Sequence, residues 1–315
     1  MSYMHEKVKN MATVMNDIAA VVVNYNSWTL TTKCVDNLLA ISTELTAVIV
    51  DNCSTDASAE EIKHHYLHNA QVHVLENPQN GGYAKGNNAG IQYIRNSLKN
   101  IRYIIILNPD IIVKNEKTIH ALKQALESKE EYAVASCQIV LNNQWINNAG
   151  YMWRFPQKKH LWWAGTFVQR LLLKNPNNIY DSVAVNNGLA EVEVVTGCFF
   201  MAKLDDLLTV GGFDERTFLY YEETILAKKL ARDNKREVIL IGEYVCHEHQ
   251  KKENELRDYR KRLFDRQCFH HSKQVYLEYY SGMHGIELHM CKMMNKTDYG
   301  IKMLIYGLLG LCSRP

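Results

Sequence analysis

The segment 18–56 reads IAAVVVNYNSWTLTTKCVDNLLAISTELTAVIVDNCSTD, and its pattern decides the fold. Ile18 to Val23 is a continuous apolar run, as expected of a strand covered on both faces. From Ser27 to Ile41, Leu30, Cys34 and Leu38, with Val35 and Leu39 beside them, recur at helical spacing. Thr46 to Val50 is a second apolar run. A strand, a helix and a strand in that order predict a crossover unit in a parallel sheet.

The same rhythm continues outward. Val72 to Leu75 and Tyr103 to Leu107 read as the third and fourth strands, with a helix predicted from Tyr83 to Leu98 between them. Helices should then cover both faces of the sheet, and ligands should bind beyond the carboxyl ends of its strands. The residues found there are Asn24-Tyr25-Asn26, Asp51-Asn52-Cys53-Ser54-Thr55-Asp56 and Asn108-Pro109-Asp110. One such loop is an ordinary turn signal. Three at successive strand ends predict one shared site.

From about Gly150 to Asn187 the pattern is lost. This stretch holds Trp153, Trp162, Trp163 and the basic pair Lys158 and Lys159, and reads as a long loop over the site or a strand-poor insertion. Patterning returns at Val192 to Met201, followed by a helix near Glu223 to Arg232 and a strand at Glu237 to Ile241. A charged helix is expected over roughly 253–279. The last 35 residues read as short and amphipathic.

Composition narrows the classes. Hydrophobic residues make up 47% and charged residues 22%, as in an ordinary folded protein. Lys and Arg total 36 against 34 Asp and Glu, a net charge of +2, which argues against nucleic acid as the main partner. The eight cysteines form no CxxC pair and read as reduced, mostly buried thiols of a cytosolic protein. The first 20 residues carry no signal-peptide apolar core, and no run reaches the length needed to span a bilayer.

Seven motifs in order resemble the inverting family 2 glycosyltransferases, especially their rhamnosyltransferase-like branch. They are VVVNYNS (21–27), VIVDNCSTDAS (48–58), NGGYAKGNNAGI (80–91), IILNPDIIV (105–113), VTGCFFM (195–201), GGFDERTFLYYEET (211–224) and VCHEH (245–249). The resemblance covers about residues 18–250. It implies a GT-A fold: α/β, a Rossmann-like, mostly parallel sheet flanked by helices, with a helical C-terminal extension. Residues 1–250 would form the catalytic domain, with a nucleotide-sugar-binding half at about 18–115 and an acceptor half at about 116–250. Residues 251–315 would form the extension.

The implied reaction moves a sugar from a nucleoside diphosphate to a saccharide acceptor. A departing diphosphate carries charge that a divalent cation can neutralise, so Mg²⁺ or Mn²⁺ is expected. Asp110 resembles the last Asp of the family's metal motif, whose first position is here Asn108. A strand-ending turn is the other reading of that tripeptide. His247 resembles a metal ligand or a donor to phosphate, with His249 a weaker candidate. Asp51 is assigned by resemblance to the nucleotide base, since a carboxylate accepts the ring N–H of uracil or thymine. Asn24, Tyr25, Asn52, Ser54 and Asp56 would help seat the nucleoside, although Ser54 and Asp56 also suit helix capping. Gly82 opens a Gly- and Asn-rich helix start that could approach an anion closely, and Lys85 could touch the diphosphate or lie solvated.

Glu223 occupies the position of the family's catalytic base, beside Glu222, with Ile225 where the family often has another Asp. The acid pair could also simply favour a helix N-terminus. The three tryptophans either stack on acceptor sugar or pack in the core. Residues 251–315 either lie on the inner face of a bacterial membrane, near a lipid-linked acceptor, or pack on the catalytic domain or in a homodimer. The setting implied is cytoplasmic, in cell-surface polysaccharide assembly. Two rival functions remain: a nucleotidyltransferase acting on sugar phosphates, and a non-catalytic glycan-binding protein of the same fold.

Overall fold

A computed structural model describes residues 17–42, 45–146, 150–163, 166, 180, 182–248 and 259–312. Strands β1 (Ile18–Asn24), β2 (Thr46–Asp51), β3 (Val72–Glu76) and β4 (Tyr103–Leu107) lie parallel in the spatial order 3-2-1-4. The expected continuous apolar runs are the reason. Every residue of β4 is buried, and so are Ile18 to Val22 of β1. Each such Val, Ile or Leu contributes roughly 1.5–3 kcal/mol relative to leaving it in water.

The sheet then changes sense. β11 (Phe199–Lys203) runs antiparallel between β4 and β6 (Tyr132–Leu141), and β12 (Arg236–His247) returns parallel to β6. β5 (Ile111–Val113) closes the edge antiparallel to β12. The second half of the sheet is therefore mixed. Short pieces complete the strand list: β7 (Gln144–Trp145), β8 (Met152–Trp153), β9 (Leu189–Val192) and β10 (Val194–Val195).

Helices α1 (Trp28–Ile41), α2 (Ser58–His65) and α3 (Gly82–Ser97) alternate with the parallel strands. α3 lies very close to β1. A Cβ on Gly90 would stand 2.5 Å from Cγ1 of Val21, so only glycine permits that approach. α4 (Glu116–Ser128) packs on β6, α5 (Lys158–Leu161) and α6 (Leu204–Thr209) are short, and α7 (Glu222–Arg232) follows the acid pair.

The C-terminal segment differs from expectation in one respect. α8 (Tyr259–Tyr279) agrees with the charged helix, but the last residues form one long helix, α9 (Gly285–Cys312), rather than short pieces. α8 and α9 pack together and build a second apolar core from Val275, Tyr276, Leu277, Tyr280, Met283 and Cys291 with Leu161 and Ile225. Among the described residues no helix is long and apolar enough to cross a membrane. Of the seven cysteines described, Cys34, Cys137, Cys246, Cys268 and Cys291 are buried thiols.

Candidate active site

The first two strand ends are stitched side by side. Asn24 and Asp51 are register partners on β1 and β2. Asp51 Oδ1 accepts from Asn24 Nδ2 at 2.7 Å and from Ser54 Oγ at 2.6 Å, and Oδ2 accepts from the Ser54 N–H at 2.9 Å. Asn24 Oδ1 accepts from Thr31 Oγ1 at 2.7 Å. Asn26 and Cys53, both left-handed in φ, turn the two loops, and the Asn26 N–H donates to Ser54 Oγ at 2.9 Å.

Asn24 and Asp51 are thus 0% and 2% exposed. Their side chains hold the loops together rather than face an opening, because the last strand residue of each turns inward. Asn52 is buried too, donating to Asn80 Oδ1 and to the Gly82 carbonyl and accepting from Asn77. Asp56 Oδ1 accepts from the Ser58 N–H at 2.9 Å just before α2, whose N-cap is Ala57, so it makes a turn at the helix entry rather than the N-cap bond. Tyr25, 44% exposed, points outward from this rim, as do Asn26, Thr55 and Asp56.

The α3 start differs from the expected anion cradle. The Gly82 N–H donates to Asn80 Oδ1 and the Tyr83 N–H to the Phe218 carbonyl, each at 2.9 Å. Those two donors are therefore committed within the protein. Gly82 has φ +75°, and a Cβ there would collide with the Phe218 carbonyl oxygen. The glycine is needed so that the 211–224 segment can seat on α3. Asn88 fastens the same segment, donating to the Phe213 carbonyl at 3.0 Å and accepting the Phe213 N–H at 2.9 Å. Lys85 is half-buried on this helix, curled back over Gly81.

At the third strand end, Asp110 directly precedes β5, and β5 pairs with β12 so that Ile111 faces His247. His247 Nε2 consequently lies 3.0 Å from Asp110 Oδ2. Burial alone would lower the imidazole pKa, but hydrogen bonds to Asp110 and Cys198 outweigh it and push the value up to about 10. The Asn108 N–H donates to the Cys198 carbonyl at 2.9 Å, which ties this strand end to the 195–201 segment.

That segment links Asp110 to the acid pair. Gly197, next to Cys198, accepts a 2.6 Å bond from the Tyr83 hydroxyl, and a Cβ on Gly197 would sit 3.8 Å from Cβ of Glu223. Burial pushes the Tyr83 hydroxyl well above its ordinary pKa, and the charges of Glu222, Glu223 and Cys198 add to the effect. Asp110, His247, Cys198, Gly197, Tyr83 and Glu223 are therefore contiguous.

Glu222 and Glu223 open α7 after two consecutive left-handed tyrosines, Tyr220 at φ 74° and Tyr221 at φ 66°. Each such residue costs of order 1–3 kcal/mol, which the surroundings must offset. α8 supplies that support. Phe269 meets the rings of Tyr220 and Tyr221, Ser272 Oγ donates to the Leu219 carbonyl at 2.8 Å, and Tyr280, just past the helix, donates to Asp214 Oδ2 at 2.7 Å. Ile225, where the family often has an acid, is fully buried in the second core beneath these helices. Burial raises both carboxyls, and Glu222 is raised further by the charge of Glu223. Both carboxyls therefore hold a proton more tightly than ordinary ones do, Glu222 the more so because of the neighbouring charge.

Trp153 Nε1 donates to Thr224 Oγ1 at 3.2 Å, Trp162 packs against the second core, and Trp163 is 37% exposed. His249 lies outside the described residues. Among the described residues no cluster of three His, Cys, Asp or Glu side chains is poised to hold a metal. The Asp110–His247 pair suits a cation whose other ligands are phosphate oxygens and water. Sequence reasoning passed over Tyr83 and Cys198. Both sit inside quoted motifs, but only the fold brings them between the two candidate centres.

Comparison with known proteins gives a consistent picture. The model of the family described as "Glycosyl transferase family 2" matches residues 19–191. The chain is 26% identical over 227 residues to the low-salt glycan biosynthesis hexosyltransferase Agl10 of Haloferax volcanii, covering 72% of this chain and 65% of that protein. It is 25% identical over 152 residues to the rhamnosyltransferase WbbL of Escherichia coli, covering 48% and 54%. Each match spans less than two thirds of the relative's own length. Among solved structures, a mannosyltransferase of Pyrobaculum calidifontis in complex with GDP-Man and Mn²⁺ superposes with a TM-score of 0.55 at 13% identity, covering 99% of this chain and 83% of that one. GalNAc-T7 with UDP, GalNAc and Mn²⁺ superposes at 0.57 and 13% identity, covering 95% and 58%. These likenesses show a shared GT-A fold.

Proposed function

Because the chain belongs to glycosyltransferase family 2, we propose that it is an inverting glycosyltransferase using a uridine or thymidine diphosphate sugar, with rhamnose the favoured sugar. The saccharide acceptor is lipid-linked in this reading. The contiguity of Asp110–His247 with Glu223 through Cys198 and Gly197 carries it. In this reading Asp110 and His247 are the diphosphate anchor and Glu223 the proton acceptor, flanking the same sugar.

In this reading the acceptor hydroxyl attacks the anomeric carbon, the bond to the diphosphate oxygen breaks, and Glu223 takes the hydroxyl proton. Inversion follows from a single in-line displacement. Glu222, raised by burial and by the charge of Glu223, keeps its proton in this reading and stands beside the Glu223 carboxylate as a neutral neighbour. Asp110 and His247 would hold a divalent cation, Mn²⁺ in preference to Mg²⁺ because of the imidazole. When bound, that cation neutralises charge on the leaving diphosphate. Lys85, at the start of α3, is assigned to the diphosphate in the same reading.

Asp51 acts through the loops it anchors. It fixes Asn24 and Ser54, so that Tyr25 and the exposed backbone of the first two strand ends receive the nucleoside. Asn52 and Asn108 shape the floor, through the start of α3 and through Cys198 respectively.

A thermal-shift panel of nucleoside diphosphate sugars, with and without Mn²⁺, tests the assignment. Stabilisation that needs both a uridine or thymidine donor and Mn²⁺, and that Asp110→Asn abolishes, is expected. Stabilisation unchanged by Asp110→Asn would remove the metal role from this residue.

A further inference from the structure

α9 is only half used by the fold. Its inward side gives Cys291 to the second core and places Asn295 beside Lys273 and Tyr299 on His270. Its outward side carries Ile286, Met290, Met293, Ile301, Leu304, Ile305 and Leu308, each exposed and two of them, Ile286 and Leu304, by 79% and 70%. At helical periodicity these seven fall in one stripe about 120° wide and about 33 Å long. An apolar band of that extent on a soluble surface marks an interaction site.

Charge says what covers it. None of the exposed positions of α9 as far as Leu308 is a carboxylate and Lys296 is among them; half-buried Glu287 lies at the stripe's edge, and half-buried Asp298 is paired with Lys302. α8 runs antiparallel to α9, with Lys273 beside Asn295 and His270 stacked on Tyr299. Continuing that register sets Ile305 and Leu308 level with the first turns of α8. There Arg260, Lys261 and Phe264 are exposed, with Arg262, Asp265 and Arg266 half-buried beside them, so that cations outnumber the one carboxylate. An apolar stripe whose rim is cationic complements anionic headgroups above acyl chains. A second copy offering the same face would set cations against cations.

We propose that α9 lies in the headgroup region of an anionic membrane, with its apolar stripe inserted and the α8 arginines at the phosphate level. The helix lies along the surface rather than crossing it. Because α8 also grips the Tyr220–Tyr221 turn, docking would hold the acid pair at a fixed height above the lipid. This surface stands apart from the catalytic assignment, and it is tested without reference to turnover.

The test is co-sedimentation of the full chain with phosphatidylcholine vesicles, plain or doped with phosphatidylglycerol. Pelleting with the doped vesicles, weaker pelleting with the plain ones and release by salt are expected. The pairs Leu304→Glu with Leu308→Glu, and Arg260→Glu with Arg262→Glu, should each lower the partition on the order of tenfold or more. Both should keep the unfolding temperature and donor-induced stabilisation of the parent chain. A chain that stays in the supernatant overturns the proposal, as does pelleting that the leucine pair leaves unchanged. A dimer in sedimentation equilibrium that Leu304→Glu splits would assign the stripe to a second copy instead.

Discussion

The ring of Phe269 on α8 lies against that of Tyr221, centroids 5.6 Å apart, immediately before the acid pair on α7. Residues from the C-terminal helices therefore hold a strained turn from which Glu222 and Glu223 project. They are part of the site's support, which the sequence reading left open between packing, dimer and membrane roles.

Phe269→Ala should act on turnover more than on binding. A loosened turn displaces Glu223 without touching the donor side, so kcat should fall between about ten- and a hundredfold while donor affinity stays within about twofold. Steady-state kinetics beside calorimetric donor titration separates the two. Equal losses in both would mean that the helix supports the whole fold and not this turn in particular.

Two glycines on helices should respond oppositely to alanine. Gly82, with φ +75° and the Phe218 carbonyl against it, has no room for a Cβ. Gly82→Ala should cost about 2 kcal/mol or more of stability and should lower activity by lifting the 211–224 segment off α3. Gly300 lies within α9, and a Cβ added there would meet nothing within 4 Å. The same change at Gly300 should gain about 0.5–1 kcal/mol. Urea denaturation of the two variants gives both signs in one experiment.

Glu237 gives a pH signature. Its carboxyl is buried on β12 and accepts the Val195 N–H at 2.7 Å, and burial, with a smaller push from Glu223, raises its pKa to about 8 from 4.5. The folded chain then keeps a proton that the unfolded chain loses above the ordinary value. This contribution to stability is complete below that value and declines as pH rises toward the folded one. Glu237→Gln should remove the decline, so the variant gains on the parent by roughly 1–3 kcal/mol between pH 5 and pH 8. A difference between the two chains that stays flat with pH would place Glu237 in contact with water.

Much of this was legible in the sequence for a physical reason. β1, β2 and β4 are covered on both faces, so their burial leaves an unbroken apolar run that needs no partner to be recognised. Strand ends in such sheets are polar where ligands bind, which brought Asp51, Asp110 and their neighbours forward. β12 was read only as far as Ile241, because its register shifts between Leu240 and Tyr244 break the apolar run. β6 was passed over altogether. α9 was misjudged because apolar residues lie on both its packed and its exposed sides, which blurs a single-faced pattern. Asp51 shows the limit most clearly. Residue type and place announced a carboxylate at the rim, but its direction depends on Asn24 and Ser54, which come from elsewhere in the chain.

The central claim is that one space joins a donor anchor at Asp110 to a base at Glu223. The direct test measures donor binding and sugar transfer side by side in Glu223→Gln. Donor affinity within about twofold of the parent chain, with transfer lower by about 10²–10⁴, is predicted. Transfer at the parent rate would contradict the account.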